Sequence, residues 1–442
     1  MGFCFFIKFA FMNISTDELY RIYKQYPKIT TDSRFIPDKS LFFALKGENF
    51  DGNKFAEEAV AKGAAFAVID DKKYLKDERF LLTEDVLAAL QELAKFHRKQ
   101  LKTIVIGITG TNGKTTTKEL IARVLNSNFK TKATIGNLNN HIGVPLTLLS
   151  LSGTEKFAVV EMGANHTGEI KQLCDIALPD FGIITNIGKA HLEGFGTFEG
   201  VIKTKGELYD FLRKANGKVF LNSDNKILSE ISSGLKTITY GTGKDNYCTG
   251  ELIGTTPFLR IRYNSANIND IINTKLYGSY NFENILAAIT IGTYFEVRKE
   301  DIKSAIESYE PANNRSQILE TKNNTVIMDA YNANPTSMIA AIDSFAKSDY
   351  NNKMVILGDM LELGKESRSE HIKIIKKIGN TGIPDIILVG PIFKEVAESH
   401  GYKCFKNSAE TANYLKENPV STKTILLKAS RGIHLETIVK YL

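Results

Sequence analysis

One stretch constrains this chain more than any other: a buried strand that runs into a glycine-rich turn and then a helix opened by Lys-Thr. Thr103-Ile-Val-Ile-Gly107 reads as the strand and Thr117–Asn126 as the helix, with Gly107-Ile-Thr-Gly-Thr-Asn-Gly-Lys-Thr-Thr116 joining them. Glycines let backbone N–H groups close around phosphate oxygens, and the helix dipole favours the anion. Lys114 can then reach terminal phosphates, and Thr115 can hold Mg²⁺. The strict GxxxxGK(S/T) spacing would put glycine at Ile108, so Gly110 supplies the turn in this variant. Gly110, Thr111, Asn112, Gly113, Lys114, Thr115 and Thr116 form a candidate nucleoside-triphosphate loop. A turn that binds nothing would leave the Lys-Thr pair unexplained.

Around this loop, apolar strands alternate with amphipathic helices. Phe157–Glu161, Phe181–Thr185 and Lys218–Leu221 are expected strands, with helices over Gly168–Cys174 and Gly200–Lys214. That alternation predicts a parallel sheet covered on both faces, with binding residues at the carboxyl ends of its strands. Thr237–Leu276 reads as short strands and turns, followed by a helix opening at Tyr280. A further alternation, Thr325–Asp329, Met354–Gly358, Asp385–Val389 and Thr424–Lys428, predicts a second doubly wound sheet. Before residue 100, Ser40–Leu45 and Ala64–Ile69 with a helix near Lys54–Lys62 suggest a small α/β module. The 442 residues are expected to form three α/β domains: a small N-terminal domain over 1–100, a central P-loop parallel-sheet ATPase domain over 101–312, and a Rossmann-like C-terminal domain over 313–442.

Composition removes other classes. Hydrophobic residues are 43% and charged residues 24%, which excludes a disordered chain or a coiled coil. The net charge of 56 − 50 = +6 is spread along the chain, so no nucleic-acid partner is expected. No apolar run approaches the roughly 20 residues that span a bilayer, so no membrane insertion is expected. Cys4, Cys174, Cys248 and Cys404 lie far apart, without a CxxC pair, which suits a reducing cytoplasm. The apolar Met1–Met12 run is broken by Lys8 and reads as non-targeting, and a misassigned upstream start would account for residues 1–11. After it, a helix is expected to start with a cap at Ser15 or Thr16.

Glu161 ends one expected strand and His191 follows another, so both are candidate magnesium ligands beside the phosphate loop. Either alone reads as a hydrogen-bonded surface group. Lys205, in Lys203-Thr-Lys205-Gly-Glu207, reads as an exposed helix lysine, a phosphate partner or, once carbamylated, an anionic metal ligand. The residue pattern leaves that choice open. With Lys114, these are the candidate catalytic groups.

Gly110-Thr-Asn-Gly-Lys-Thr115, Glu161-Met-Gly-Ala-Asn-His166, Thr185-Asn-Ile-Gly-Lys-Ala-His191 and Asn281-Phe-Glu-Asn284 together resemble the Mur ligases. Gly136-Asn-Leu-Asn-Asn-His-Ile-Gly-Val-Pro145, Asp329-Ala-Tyr-Asn-Ala-Asn-Pro335 and Leu357-Gly-Asp-Met-Leu-Glu-Leu-Gly364 resemble the branch of that family that adds D-alanyl-D-alanine. The resemblance implies phosphate binding by Gly113, Lys114, Thr115 and Thr116. It implies metal binding by Thr115, Glu161 and His191, and carbamylation of Lys205 as a further metal ligand. By the same resemblance, Asn281 and Asn284 would lie by the adenine, and Arg315 and Asp329 by the nucleotide phosphates and ribose. Ser33, Arg34 and Lys46 would contact a uridine nucleotide, and Asn139 and Asn140 a muramyl-peptide arm. Asn332, Asn334, Lys428 and Arg431 would face the peptide or incoming dipeptide, although Ala429 stands where that last motif usually has glycine.

Plainer roles compete at several positions: helix capping for Asn334 and Asn281, a turn for Asp32-Ser33-Arg34, a surface guanidinium for Arg315, and packing for the Leu-Glu-Leu run around Glu362. The activity implied is an ATP-dependent amide ligase of peptidoglycan synthesis, joining D-alanyl-D-alanine to UDP-N-acetylmuramoyl-tripeptide through an acyl phosphate, with ATP and Mg²⁺. A monomer is expected. The competing expectations are another Mur-type or folylpolyglutamate-type ligase, and a nonenzymatic nucleotide switch. The switch is disfavoured because Asn225-Lys226 continues as Ile227-Leu228 rather than as a guanine reader.

Overall fold

The structure, a computed structural model, describes residues 13–265, 268–312 and 314–442, so the Met1–Met12 run and Cys4 lie outside it. The chain packs into two compact units. The first comprises residues up to Gly107 with Phe129–Gly163 and Glu169–Phe181, and the second comprises Ile108–Asn128, Ala164–Gly168 and Gly182–Leu442. No helix among the described residues is long and apolar enough to cross a membrane.

In the first unit the helix Thr16–Gln25 starts at Ser15, whose side chain and Glu18 form a reciprocal capping box. Four parallel strands follow in the order Lys28–Thr30, Ser40–Phe43, Phe66–Ile69 and Phe80–Leu82. Phe42, Ala67, Ile69 and Leu82 meet Ala56, Ala59 and Val60 in one core cluster. The edge strands Lys28–Thr30 and Phe80–Leu82 have only three residues each, too short to show periodicity in sequence. Helix Val86–Gln100 carries in its last turn Arg98, whose guanidinium donates to Ala177 O, Leu178 O and Asp180, with an Asp180 contact of 2.8 Å. Thr131–Ala133 pairs in parallel with Phe157–Glu161.

The second unit holds strands side by side in the order Ile268–Asn273, Arg260–Ser265, Cys248–Gly254, Lys236–Gly241, Lys218–Asn222 and Phe181–Ile184. The Lys236–Gly241 strand is parallel to both its neighbours, while Cys248–Asn273 forms an antiparallel meander, so the predicted short strands extend a parallel sheet. Beyond them lies a six-stranded sheet in the order Gln317–Glu320, Thr325–Asp329, Thr424–Lys428, Lys353–Gly358, Asp385–Val389 and Lys403–Phe405, parallel except for its first pair. Alternate residues of each strand enter opposite cores. Ile327, Val355, Leu357, Leu388 and Leu426 pack on Met338, Phe345 and Ile374, whereas Val326, Ile356, Val389 and Leu427 pack on Leu415, Leu435 and Ile438. Burial on both faces is why these strands read as unbroken apolar runs.

Asp70, just past the strand Phe66–Ile69, ties the N-terminal module together. Its carboxylate accepts from Asn53 Nδ2 at 2.8 Å and from the Val86 N–H, and pairs with Lys46 Nζ at 2.7 Å. Burial alone would push this carboxyl up, but the Lys46, Asn53 and Val86 donors outweigh it and hold it below the usual range. A depressed folded-state pKa contributes stability above the ordinary carboxylate range and loses it as pH falls through the depressed value. Asp70→Asn should therefore unfold at lower urea than the wild type at pH 7. The difference should shrink as pH drops below about 4, read by urea titrations across pH.

Candidate active site

The strand Ile104–Thr109 delivers the glycine-rich turn, and helix Lys114–Asn126 leaves it. Gly113 sits at the helix N-cap in the left-handed region at φ +78°, where a Cβ would come within 2.6 Å of Asn284 Oδ1. Gly110, at φ +141°, would place a Cβ 2.0 Å from Thr185 Oγ1. Both positions need glycine for conformation and for room.

The turn is braced by the segment after Phe181–Ile184. Asn186 accepts from Thr111 N–H through its carbonyl at 2.9 Å and from Asn112 N–H through Oδ1 at 3.0 Å. Asn186 Nδ2 and Thr185 Oγ1 both donate to Asn112 O, at 3.0 and 2.6 Å. Thr111 Oγ1 exchanges hydrogen bonds with the backbone of Gly188. Lys114 Nζ lies across the turn, donating to Gly110 O at 2.8 Å and Thr111 O at 3.1 Å. Thr115 is buried in the first helical turn, with Thr116 half-buried beside it. Thr117 Oγ1 donates to Asn284 Oδ1, Asn284 Nδ2 to Asn281 Oδ1, and Asn281 Nδ2 to Tyr277 O, a relay of buried amides. The capping role expected for Asn281 is therefore corrected: its side chain makes no cap bond to helix Phe282–Tyr294, because it is spent on Tyr277 and Asn284.

His191 has a left-handed backbone at φ +49° and places Nδ1 2.6 Å from Glu362 Oε2. The hydrogen bond from His191 holds the Glu362 carboxyl below the usual range. Of the Leu-Glu-Leu run expected to pack, Leu363 is buried in the core while Leu361 and Glu362 are exposed, and Glu362 is used on His191 instead. Lys189, two residues earlier, pairs with Glu370 at 2.9 Å. Lys205 is 2% exposed on helix Phe198–Lys214, with Nζ 5.3 Å from the Phe195 ring centre, so it is not the exposed helix lysine of the plainest reading.

Asn334 caps helix Pro335–Lys347 in a reciprocal box with Ser337, as the capping role required. Its amide also donates to Asn112 Oδ1 at 2.7 Å, so the glycine-rich turn and the Asp329–Pro335 motif touch directly. Nearby, Arg315 stacks 3.5 Å from the centre of the Tyr331 ring, and the Arg431 guanidinium lies 5.7 Å from it. Asp329 pairs with the buried Lys428 at 2.5 Å, and Asn332 is exposed.

In the first unit, the buried Glu161 accepts from Asn139 Nδ2 at 2.8 Å, joining two predicted residues. Asn140 Oδ1 accepts from the N–H groups of Ile142 and Gly143 and so organises the start of helix Gly143–Leu149. Arg34 folds onto Asp32 in a two-point ion pair and closes an Asx turn around Ser33, as the turn role anticipated. The sequence reading missed the bracing roles of Thr185, Asn186 and Gly188, the Tyr331 platform and the Glu362 contact. Polar residues directly after an apolar strand were the available signal for the first group. By type, the Thr115 hydroxyl, the Glu161 carboxylate and the His191 imidazole are donors that can bind a divalent cation.

The Mur ligase family's catalytic domain matches residues 25–105, the Mur ligase middle domain 108–292, and the Mur ligase glutamate ligase domain 314–431. The UDP-N-acetylmuramoyl-tripeptide--D-alanyl-D-alanine ligase of Bacillus subtilis (strain 168) is 37% identical over 428 residues, covering 93% of this chain and 92% of that protein. A crystal structure of MurF from Acinetobacter baumannii superposes with a TM-score of 0.84 at 31% identity, over 93% of this chain and 92% of that one. MurF ligase from Thermotoga maritima, solved in complex with ADP, shares the fold with a TM-score of 0.82 at 24% identity, over 94% and 96%.

The two glycines make the turn's geometry testable. Gly113→Ala would carry about 1–2 kcal/mol of left-handed strain and drive a methyl into Asn284. It should weaken binding of ADP at least about tenfold while far-ultraviolet circular dichroism stays unchanged. Calorimetric titration with ADP reads the loss.

Proposed function

The chain belongs to the Mur ligase family, and from that membership we propose that it joins D-alanyl-D-alanine to UDP-N-acetylmuramoyl-tripeptide, with ATP as the energy source, in peptidoglycan precursor synthesis. The contact between Asn112 and Asn334 carries this reading, because it ties the phosphate turn to the segment that resembles the D-alanyl-D-alanine branch. Such a contact lets one site see both the nucleotide and the amine acceptor.

A carboxylate is a poor electrophile, so it must first be activated. The terminal carboxylate of the tripeptide attacks the γ-phosphorus of ATP in line, the bond to the β-γ bridging oxygen breaks, and ADP leaves with that electron pair. The amine of D-alanyl-D-alanine then adds to the acyl carbonyl. The tetrahedral intermediate collapses, the amine loses a proton, and inorganic phosphate departs. The backbone N–H groups at the start of helix Lys114–Asn126 offer donors to the phosphates, and Lys114 moves from the carbonyls of Gly110 and Thr111 onto the transferring group. Thr115, Glu161 and His191 would hold Mg²⁺, which supplies neutralisation of phosphate charge when bound. Asn281 and Asn284 lie by the adenine in this reading, and Arg315 and Asp329 by the phosphates and ribose.

Lys205 is proposed to be a carbamate. A buried lysine converted to an anion would become a metal ligand instead of a competing cation, and its 2% exposure shields such a group from water. Ser33, Arg34, Lys46, Asn139 and Asn140 are assigned to the uridine nucleotide and its peptide arm, and Asn332, Asn334, Lys428 and Arg431 to the peptide and dipeptide. The enzyme is proposed to act as a cytoplasmic monomer.

Purified protein given ATP, magnesium and UDP-N-acetylmuramoyl-tripeptide should release ADP and phosphate only when D-alanyl-D-alanine is added. Turnover with a single amino acid or with glutamate in its place would overturn the assignment. Lys114→Ala should lower kcat by at least about a thousandfold with an unchanged melting temperature. Lys205→Ala should lose most activity and regain part of it with added short carboxylates, read by phosphate release.

A further inference from the structure

The loop that carries Glu362 is fixed at three successive residues. The Asp359 carboxylate accepts from the N–H groups of Ile392 and Phe393, Met360 N–H donates to His371 Nε2 at 3.0 Å, and Leu361 N–H donates to Ser430 Oγ at 2.9 Å. Glu362 follows in a left-handed conformation at φ +65° and meets His191, itself left-handed, through the 2.6 Å contact to Nδ1. Glu193 N–H reaches Glu362 O, and Lys189 bridges Glu366 and Glu370, so the two segments meet along several residues. Two non-glycine residues in that strained region, facing one another, mark a contact that its surroundings hold in place.

We propose that Glu362 is a positioning residue for His191. Its carboxylate accepts a hydrogen bond from Nδ1–H, fixes the ring orientation and tautomer, and leaves Nε2 as the nitrogen with an available lone pair. A histidine prepared in this way binds a cation better, because the hydrogen bond removes the ring's freedom to rotate and fixes which nitrogen keeps its lone pair. Since Glu362 belongs to the 314–431 family segment and His191 to the 108–292 segment, docking of the first completes a ligand on the second. The proposal rests on the ligase reading for the identity of His191 as a metal ligand.

The test uses the full chain, with Mn²⁺ as the probe in the presence of ADP and free Mn²⁺ measured by electron paramagnetic resonance. Glu362→Ala should weaken Mn²⁺ binding about 10- to 100-fold, while Glu362→Gln, whose amide oxygen still accepts from Nδ1, should stay within about threefold of wild type. In the same order, kcat should fall with the KM for D-alanyl-D-alanine unchanged. In ¹⁵N-histidine-labelled wild-type protein without metal, His191 should be the Nδ1–H tautomer, shifting towards Nε2–H in Glu362→Ala. Wild-type Mn²⁺ affinity in Glu362→Ala, or an Nε2–H imidazole in the wild type, would overturn the proposal. An absence of amide synthesis by the wild type would instead remove the ligase reading and leave the tautomer and Mn²⁺ results standing.

Discussion

The structure depends on holding a short turn open in a conformation that only glycine permits at two points. Gly110 and Gly113 place the backbone between the strand Ile104–Thr109 and the helix Lys114–Asn126 with no room for a Cβ. A turn of this kind would relax unless its polar groups were satisfied from outside. Thr185, Asn186 and Gly188 supply those bonds on one side, and Asn284 closes the space beside Gly113 on the other. Preorganisation of this kind spares a ligand of the turn the cost of first ordering the backbone.

The segment from Thr185 to His191 does more than brace the turn. Its first residues bond to the phosphate loop, its middle residue Lys189 pairs with Glu370, and its last residue meets Glu362. Seven consecutive residues therefore link the glycine-rich turn to the segment that follows the strand Lys353–Gly358. Asn112 and Asn334 make a second, independent link. Charge pairs of this kind, partly exposed, contribute little to stability on their own. Their value lies in fixing which side chains face one another.

Much of the fold was legible because parallel strands buried on both faces leave long apolar runs. Phe157–Glu161, Thr325–Asp329, Asp385–Val389 and Thr424–Lys428 stand where their apolar runs predict. Lys28–Thr30, Phe80–Leu82, Gln317–Glu320 and Lys403–Phe405 were not legible, since strands of three or four residues at a sheet edge carry no measurable period. The periodic part of the helix after the loop was placed from Thr117, three residues inside its start at Lys114, because Lys-Thr-Thr has no apolar periodicity and only the Lys-Thr pair itself pointed to an earlier opening.

By itself the sequence determined the chemistry on offer: a glycine-rich turn between strand and helix, a carboxylate at the end of one strand, an imidazole after another, and a lysine on the next helix. Local rules suffice there, because turn conformation and helix starts are decided by a few adjacent residues. Which side chains are spent on one another was decided only by tertiary structure. Asn281 turns from a helix cap to a link in an amide relay, Asp329 and Lys428 neutralise each other, and Glu362 leaves an apolar-looking run to meet His191. These partners are separated by up to 171 positions along the chain, as for His191 and Glu362 (362 − 191). No local pattern records such a meeting, because the packing of separate sheets and loops is what brings the two groups within hydrogen-bond reach.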